Sequence, residues 1–340
     1  MNPSPPMYVG FGMLTPVEIL VVDQLPPHNT GAISTDVTEF IFDDAAIVAC
    51  LLRQWEVPTC IIGSMLGDDA RGHNLARTLQ EWGVQGTVRF TKEFKTPLEV
   101  DVSDKTGART YFWQRSAKVL DTLNSADLSP LEGARVLYVD WYDGDRILRA
   151  MDEAIRRNIP VFLNFEHGHA DLQLLKSYGG RATICQAVTD AAQLGDEPPL
   201  EVARKLLGAG VKTALITMAG EGCLAVQGDE MVRVYAPKVQ AVDGCGAGAT
   251  FSAGYVYGYL KDWGLADTVR FATAAASLKV TRAGLEMFPI PEIQALAAAL
   301  RVEVTTLTEV PRTPELARDR KTAAGTASVP HADLNEDVIH

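Results

Sequence analysis

Aromatic residues make up only 7% of the 340-residue chain, cysteines number five and histidines six, and no stretch stays apolar for long. Each scarcity removes a class of protein. No apolar run approaches the roughly 20 residues of a membrane-crossing helix, and the start, MNPSPPMYVG, lacks the basic-then-apolar order of a secretory leader. A cytoplasmic protein without membrane contact is expected. Cys50, Cys60, Cys185, Cys223 and Cys245 are odd in number and contain no CxxC pair, which argues against a disulfide framework and a zinc site. His167 and His169 stand two apart rather than in a helical HExxH spacing, and read as a loop pair. Positive charge is also short: 31 basic residues against 43 acidic ones leave −12, the wrong sign for neutralising a phosphate backbone. Nucleic acid is disfavoured as the main partner.

What the chain has is core material, 47% hydrophobic, in an alternating order. From about residue 57, short β-branched runs at Val57–Gly63, Arg135–Val139, Ile159–Leu163 and Val211–Thr217 alternate with segments of helical period at Asp145–Asn158 and Pro199–Ala209. That order predicts an α/β fold, a mostly parallel sheet covered by helices on both faces. Two stretches break the rhythm. Leu98, Val100 and Val102 alternate with Glu99 and Asp101 and lead through a turn into Thr110, Tyr111, Phe112 and Trp113, a hairpin pattern with one wet face; Val17–Val22 offers further strands. These pieces, about 10–40 and 95–117, are expected to form a small β lid, the alternative being an edge hairpin of the main sheet. Residues 1–301 then make one α/β domain, and 302–340, poor in large apolar residues, a loosely held tail.

Chemistry concentrates in Ala241-Val-Asp-Gly-Cys-Gly-Ala-Gly-Ala-Thr-Phe, a small-residue turn feeding a helix that runs to about Lys261. Gly246, Ala247 and Gly248 carry almost no side chain, so their backbone N–H groups can approach a ligand. The helix N-terminus behind them adds partial positive charge, and together they make an anion hole.

VDGCGAGATF resembles the DTxGAGD signature of the ribokinase (PfkB-type) family of carbohydrate kinases. Gly67-Asp-Asp-Ala-Arg-Gly72 is similar to the family's GDDxxG element, Thr217-Met-Ala-Gly220-Glu-Gly222 to its TxGxxG turn, and the stretch from Ala274 to Gly284 to its closing AxxxVTRxG helix. The resemblance implies ATP-dependent phosphoryl transfer to a sugar hydroxyl, with Mg²⁺ bridging the phosphates and the sugar under a ribokinase-like β lid. It implies that Thr217, Gly220 and Gly222 line the nucleotide site, that residues near Ala275 and Gly284 flank the adenine, and that Gly246, Ala247 and Gly248 hold the transferring group.

The chain departs from the family at three places. The signature's last aspartate, which takes the proton of the attacking hydroxyl, is Ala249 here; general-base catalysis contributes roughly 100- to 10,000-fold, so ligand binding with strongly impaired turnover is expected. A substitution made to trap a substrate complex and a natural pseudokinase that senses nucleotide or sugar both account for it. The di-glycine that frames the sugar is replaced within Phe40-Ile-Phe-Asp-Asp44, where Asp43 and Asp44 either accept from sugar hydroxyls or cap the following helix. The metal-organising NxxE element falls at Gln186-Ala-Val-Thr189, which keeps neither end, leaving Glu166 and Asn164 as the nearest candidates for magnesium.

The nearest subgroup by resemblance is ketohexokinase, through Gly107-Ala-Arg109-Thr and Val161-Phe-Leu-Asn-Phe-Glu166. A ketose-like sugar is the expected acceptor, with an acidic derivative or a nucleoside as variants. Arg109 or Arg115 could meet an oxygen-rich or anionic acceptor, or be solvated strand residues; Trp113 could shield the sugar or pack on a partner lid. Exposed lid strands suggest a homodimer.

Overall fold

The computed structural model describes residues 5–104, 109–189, 197–282, 284 and 288–307. Fifteen strands lie among them: β1 (Tyr8–Gly12), β2 (Thr15–Val22), β3 (Ser34–Phe42), β4 (Thr59–Gly63), β5 (Leu66–Gly67), β6 (Phe90–Thr91), β7 (Leu98–Asp104), β8 (Arg109–Gln114), β9 (Val136–Asp140), β10 (Val161–Glu166), β11 (Ile184–Val188), β12 (Thr213–Thr217), β13 (Cys223–Gln227), β14 (Glu230–Val234) and β15 (Val302–Thr306). Nine form one sheet in the order β15-β14-β13-β12-β11-β10-β9-β1-β4. Its half from β12 to β4 is parallel, and β13 to β15 add antiparallel.

Parallel strands need crossovers, and here they are helices whose ends the sequence marks. Asp69 accepts from Gly72 N to start Ala70–Glu81; Pro199 opens Pro199–Ala209 and left-handed Gly210 closes it. One apolar core packs Asp44–Gln54, Ala247–Leu260 and Leu265–Lys279 on one face of the sheet. The other face is covered by Leu148–Arg156 and Pro199–Ala209. With both faces covered, strands such as β1, β4 and β9 are buried throughout, which explains their unbroken apolar runs.

The lid is a separate four-stranded sheet, β3-β2-β7-β8, rather than an edge hairpin of the main one. Pairing fixes its faces. Val17, Glu99 and Trp113 share one register row, and Ile19, Asp101 and Tyr111 the next. Val17, Ile19 and Phe40 of this face pack on Cys245, so the lid rests on the glycine-rich turn.

One boundary is corrected. Residues 302–306, assigned to a loose tail by their lack of apolar bulk, form β15 and pair with β14. Its side chains are mostly exposed, so backbone hydrogen bonds hold this edge strand, and its one signal is the β-branched run Val302, Val304, Thr305 and Thr306. Residues 308–340 lie outside the described residues, as do Gly107 and Ala108 of the lid turn.

Candidate active site

Three polar residues stand side by side on neighbouring buried strands. Asp140 (β9), Asn164 (β10) and Gln186 (β11) are register partners across neighbouring strands, each only 1% exposed. Asn164 Nδ2 donates to Asp140 Oδ2 and to Asp44 Oδ2, both at 2.9 Å. Gln186 Nε2 donates to the Gly248 carbonyl at 3.4 Å, and its Oε1 accepts from Ser252 Oγ at 2.8 Å. Asp44 begins one helix and Gly248 lies in the first turn of another that packs beside it. Because neighbouring strands are about 4.8 Å apart, the row anchors the Asp44 carboxylate and that helix N-terminus next to each other.

The N-terminus of Ala247–Leu260 leaves first-turn amides uncapped. Gly246 adopts φ 74°, a left-handed conformation that glycine takes without strain, and no side chain caps the helix. Ala247 N bonds back to Gly244 O at 3.2 Å and Thr250 N to Gly246 O at 2.9 Å. The amides of Gly248 and Ala249 fall between these, in the turn where helical acceptors are lacking, at the positive end of the helix dipole. A Cβ added at Gly248 would meet only Gln186 Nε2, at 3.9 Å, so packing does not require glycine there. Ala249 itself is buried and presents no proton acceptor.

Below the turn, Asp243 is fully buried and gathers four segments. Its Oδ1 accepts from Ser103 of β7 at 3.0 Å and from Cys245 N at 2.9 Å; its Oδ2 accepts from Lys279 Nζ at 2.7 Å and from Gly284 N at 3.0 Å. Lys279 Nζ also reaches Asp243 O at 3.0 Å. The ion pair thus ties the lid, the turn and the end of Leu265–Lys279 together.

Carboxylates dominate the acceptor side. Asp43 caps its helix by accepting from Ala45 N, at φ 95°, an unusual backbone for a residue with a side chain. Across Gly12 lies Asp143, whose Oδ2 accepts from Met13 N at 3.1 Å; a Cβ on Gly12 would sit 2.9 Å from that oxygen and 3.0 Å from Asp43 Oδ1. Burial and then the Asp143 charge push Asp43 up, and burial and then Asp44 push Asp140 up. Asp44 is raised to about 7 by burial and by Glu166, against the pull of Arg109, and Asp143 to about 7 by burial. Glu166 accepts from the Tyr142 hydroxyl.

These shifts carry a sign. A carboxyl raised on folding holds a proton that the unfolded chain releases near pH 4, so its stabilising share is full below about pH 4 and is lost as pH rises through about 7. Urea midpoints of the free protein are expected to fall across that window, and Asp143→Asn, which keeps an acceptor for Met13 N, to flatten the fall. An unchanged slope in the variant would contradict the assignment.

The lid underside continues the site. Glu99 and Asp101 face inward from β7, at 1% and 0% exposure; burial raises Glu99 to about 7 although Trp113 Nε1 donates to it at 2.6 Å. Trp113 stacks on Tyr111 at 5.7 Å, and Arg109 lies over the same Tyr111 ring at 5.3 Å. Arg109 acts on both Asp44 and Asp101, so it stands between lid and core, whereas Arg115 reaches Met13 Sδ at 3.8 Å and favours ionised Asp143.

The other sequence candidates separate by environment. Thr217 Oγ1 bonds Ala187 O at 3.2 Å at the end of β12. Gly220 has no atom within 4 Å of where a Cβ would stand, leaving its surface open; Gly222, at φ 95°, would press a Cβ to 2.2 Å from Val234 O and answers to packing. Ala275 is 1% exposed inside the core, so it does not offer a surface to an adenine ring. Gly284 is spent on Asp243 and packs against Thr38 of the lid. Glu166 and the Asn164 amide nitrogen are engaged by protein partners while Asn164 Oδ1 has none, and among the described residues no three acidic, histidine or cysteine groups converge as a metal site. Sequence reading passed over Asp140, Asp143, Asp243, Ser103 and Lys279; the one local signal was a polar residue closing an apolar strand, as in VLYVD.

Comparison with known proteins bears on this geometry. Residues 45–292 match the family described as pfkB family carbohydrate kinase. The chain is 22% identical over 252 residues to an ATP-dependent 6-phosphofructokinase of Thermoanaerobacterium thermosaccharolyticum, covering 69% of this chain and 77% of that protein. It is 26% identical over 246 residues to a 2-dehydro-3-deoxygluconokinase of Dickeya dadantii, covering 64% and 79%. Among solved structures, Thermotoga maritima ribokinase superposes with a TM-score of 0.71 at 19% identity, over 86% of this chain and 99% of that one. Arabidopsis thaliana ribokinase complexed with ribose and ATP superposes with a TM-score of 0.66 at 20% identity, over 86% and 99%.

Proposed function

The chain belongs to the pfkB family of carbohydrate kinases, and from that premise we propose that it transfers the γ-phosphoryl group of ATP to a hydroxyl of a ketose-like sugar held between the lid and the row Asp140, Asn164, Gln186. One observation carries the reading: the uncapped helix N-terminus at Gly246 to Ala249 stands beside that row, under a closed lid. Phosphoryl transfer is mostly positioning and charge stabilisation, so the amides of Gly248 and Ala249 would bear the charge on the travelling group. Asp44, which is partly exposed, would accept from an acceptor hydroxyl, and Asp43, Asp140 and Asp143 add buried carboxyls around it. These carboxyls outnumber Arg109 and Arg115, which favours a neutral polyhydroxy acceptor over an acidic derivative. Magnesium enters with the nucleotide as the counter-ion of its phosphates, held by no assigned residue.

A non-catalytic sensor of nucleotide or sugar is the second reading, favoured by Ala249 together with the missing NxxE residues at Gln186 to Thr189. A coupled assay of ADP release with Mg-ATP and fructose, ribose, fructose 6-phosphate, 2-dehydro-3-deoxygluconate and inosine separates the two. The kinase reading expects acceptor-dependent ADP with at least one of them; thermal stabilisation by a sugar with no ADP from any would favour the sensor. Leu20, Val37, Val100, Val102 and Phe112 share the outer face of the lid with Glu18 and Glu39, Val37 and Phe112 being 59% and 58% exposed. That mostly apolar face would suit a second copy of the chain.

A further inference from the structure

Resting on the kinase reading, we propose that Asp44 is the general base of this chain, taking the acceptor hydroxyl's proton in place of the side chain that Ala249 lacks. The carboxylate absent from the first turn of Ala247–Leu260 reappears at the first residue of the adjacent helix. Asn164 fixes Asp44 Oδ2 at 2.9 Å, and its register partner Gln186 fixes Gly248 at 3.4 Å, so carboxylate and phosphoryl cradle are set side by side by one sheet row.

The neighbouring carboxylates are more deeply buried or already engaged: Glu99 and Asp101 of the lid are 1% and 0% exposed. Asp43 caps its helix through Ala45 N; Asp140 is 1% exposed and accepts from both Asn164 and Tyr142 N; Asp143 is 1% exposed and accepts from Met13 N; Glu166 accepts from the Tyr142 hydroxyl. Asp44 keeps partial exposure and has one side-chain donor. The charged and titratable groups acting on its surroundings are Asp43 on its own element, Asp140 on β9, Glu166 on β10 and Arg109 on β8. Asn164 Oδ1 is buried there with no partner, as expected where a ligand hydroxyl donates.

In the step, the acceptor O–H proton passes to the Asp44 carboxylate while the hydroxyl oxygen forms its bond to the γ-phosphorus. The bond from that phosphorus to the β–γ bridging oxygen breaks, and ADP leaves with the electron pair. Asp44 returns its proton to solvent as product departs.

The test compares wild type, Asp44→Asn, Asp44→Glu and the double variant Asp44→Asn/Ala249→Asp in the ADP-release assay with the acceptors named above, with ATP binding followed by calorimetry. Expected are a fall of at least about 100-fold in kcat for Asp44→Asn with KM and ATP binding little changed, partial activity in Asp44→Glu, and recovery of at least about tenfold when the carboxylate is restored at 249. Wild-type-like kcat in Asp44→Asn would overturn the base assignment and leave the kinase reading standing. A loss that Ala249→Asp does not relieve, with ATP binding intact, would overturn it too. A wild type inert toward every acceptor would defeat the kinase reading and Asp44 with it.

Discussion

Replacing Lys279 by methionine is expected to destabilise the folded chain by about 3–5 kcal/mol, measured as a lowered urea midpoint. Methionine fills nearly the same volume, so the effect isolates charge. Lys279 and Asp243 are 1% and 0% exposed at the side chain and meet at 2.7 Å. Removing the ammonium leaves a buried carboxylate without its counter-charge, with only the neutral donors of Ser103, Cys245 and Gly284 in place. A surface pair such as Arg77–Glu81, both 66% exposed, contributes at most about 1 kcal/mol by contrast. Because Ser103 belongs to the lid, the same variant is expected to loosen the lid from the glycine-rich turn, read as faster amide exchange in β7 than in β9. A midpoint within about 0.5 kcal/mol of wild type would mean that Asp243 does not depend on Lys279.

The second large effect separates folding from chemistry. Gly248→Val is expected to lower acceptor-dependent turnover by at least about 100-fold while leaving the urea midpoint unchanged or raised. Glycine weakens a helix, and the only neighbour of an added Cβ is Gln186 Nε2 at 3.9 Å, so a side chain at 248 meets no packing obstacle at its Cβ. What the branched side chain obstructs is the approach of a phosphate to the first-turn amides. Gly248→Ala, smaller by two methyl groups, should fall between. Full activity in Gly248→Val would remove the phosphate from this turn; a collapse in stability would give the glycine a packing role.

Legibility of the sequence followed the physics of each element. Strands buried on both faces announce themselves by unbroken apolar runs, which is why β4, β9, β10 and β12 were readable. The lid was readable from alternation, Val100 and Val102 against Glu99 and Asp101, because one face meets the cleft. β15 was not, since an edge strand held by its backbone needs no apolar side chains. In the site, the turn at Gly246 was visible because its small residues follow one another in sequence. Asp140, Asn164 and Gln186 were not visible as a row, because 46 residues of chain separate members that a parallel sheet sets side by side. The same holds for Asp243, whose partners come from the lid and from two later turns. Glycine motifs also proved unequal: Gly220 is open, whereas Gly222 serves a close backbone approach.

Phosphoryl transfer by this chain requires the γ-phosphate to lie at the N-terminus of Ala247–Leu260. A crystal structure with a non-hydrolysable ATP analogue and an acceptor sugar tests this most directly. The account requires the terminal phosphate within hydrogen-bond distance of the Gly248 and Ala249 amides, with an acceptor hydroxyl between it and Asp44; nucleotide bound with that turn unoccupied would contradict it.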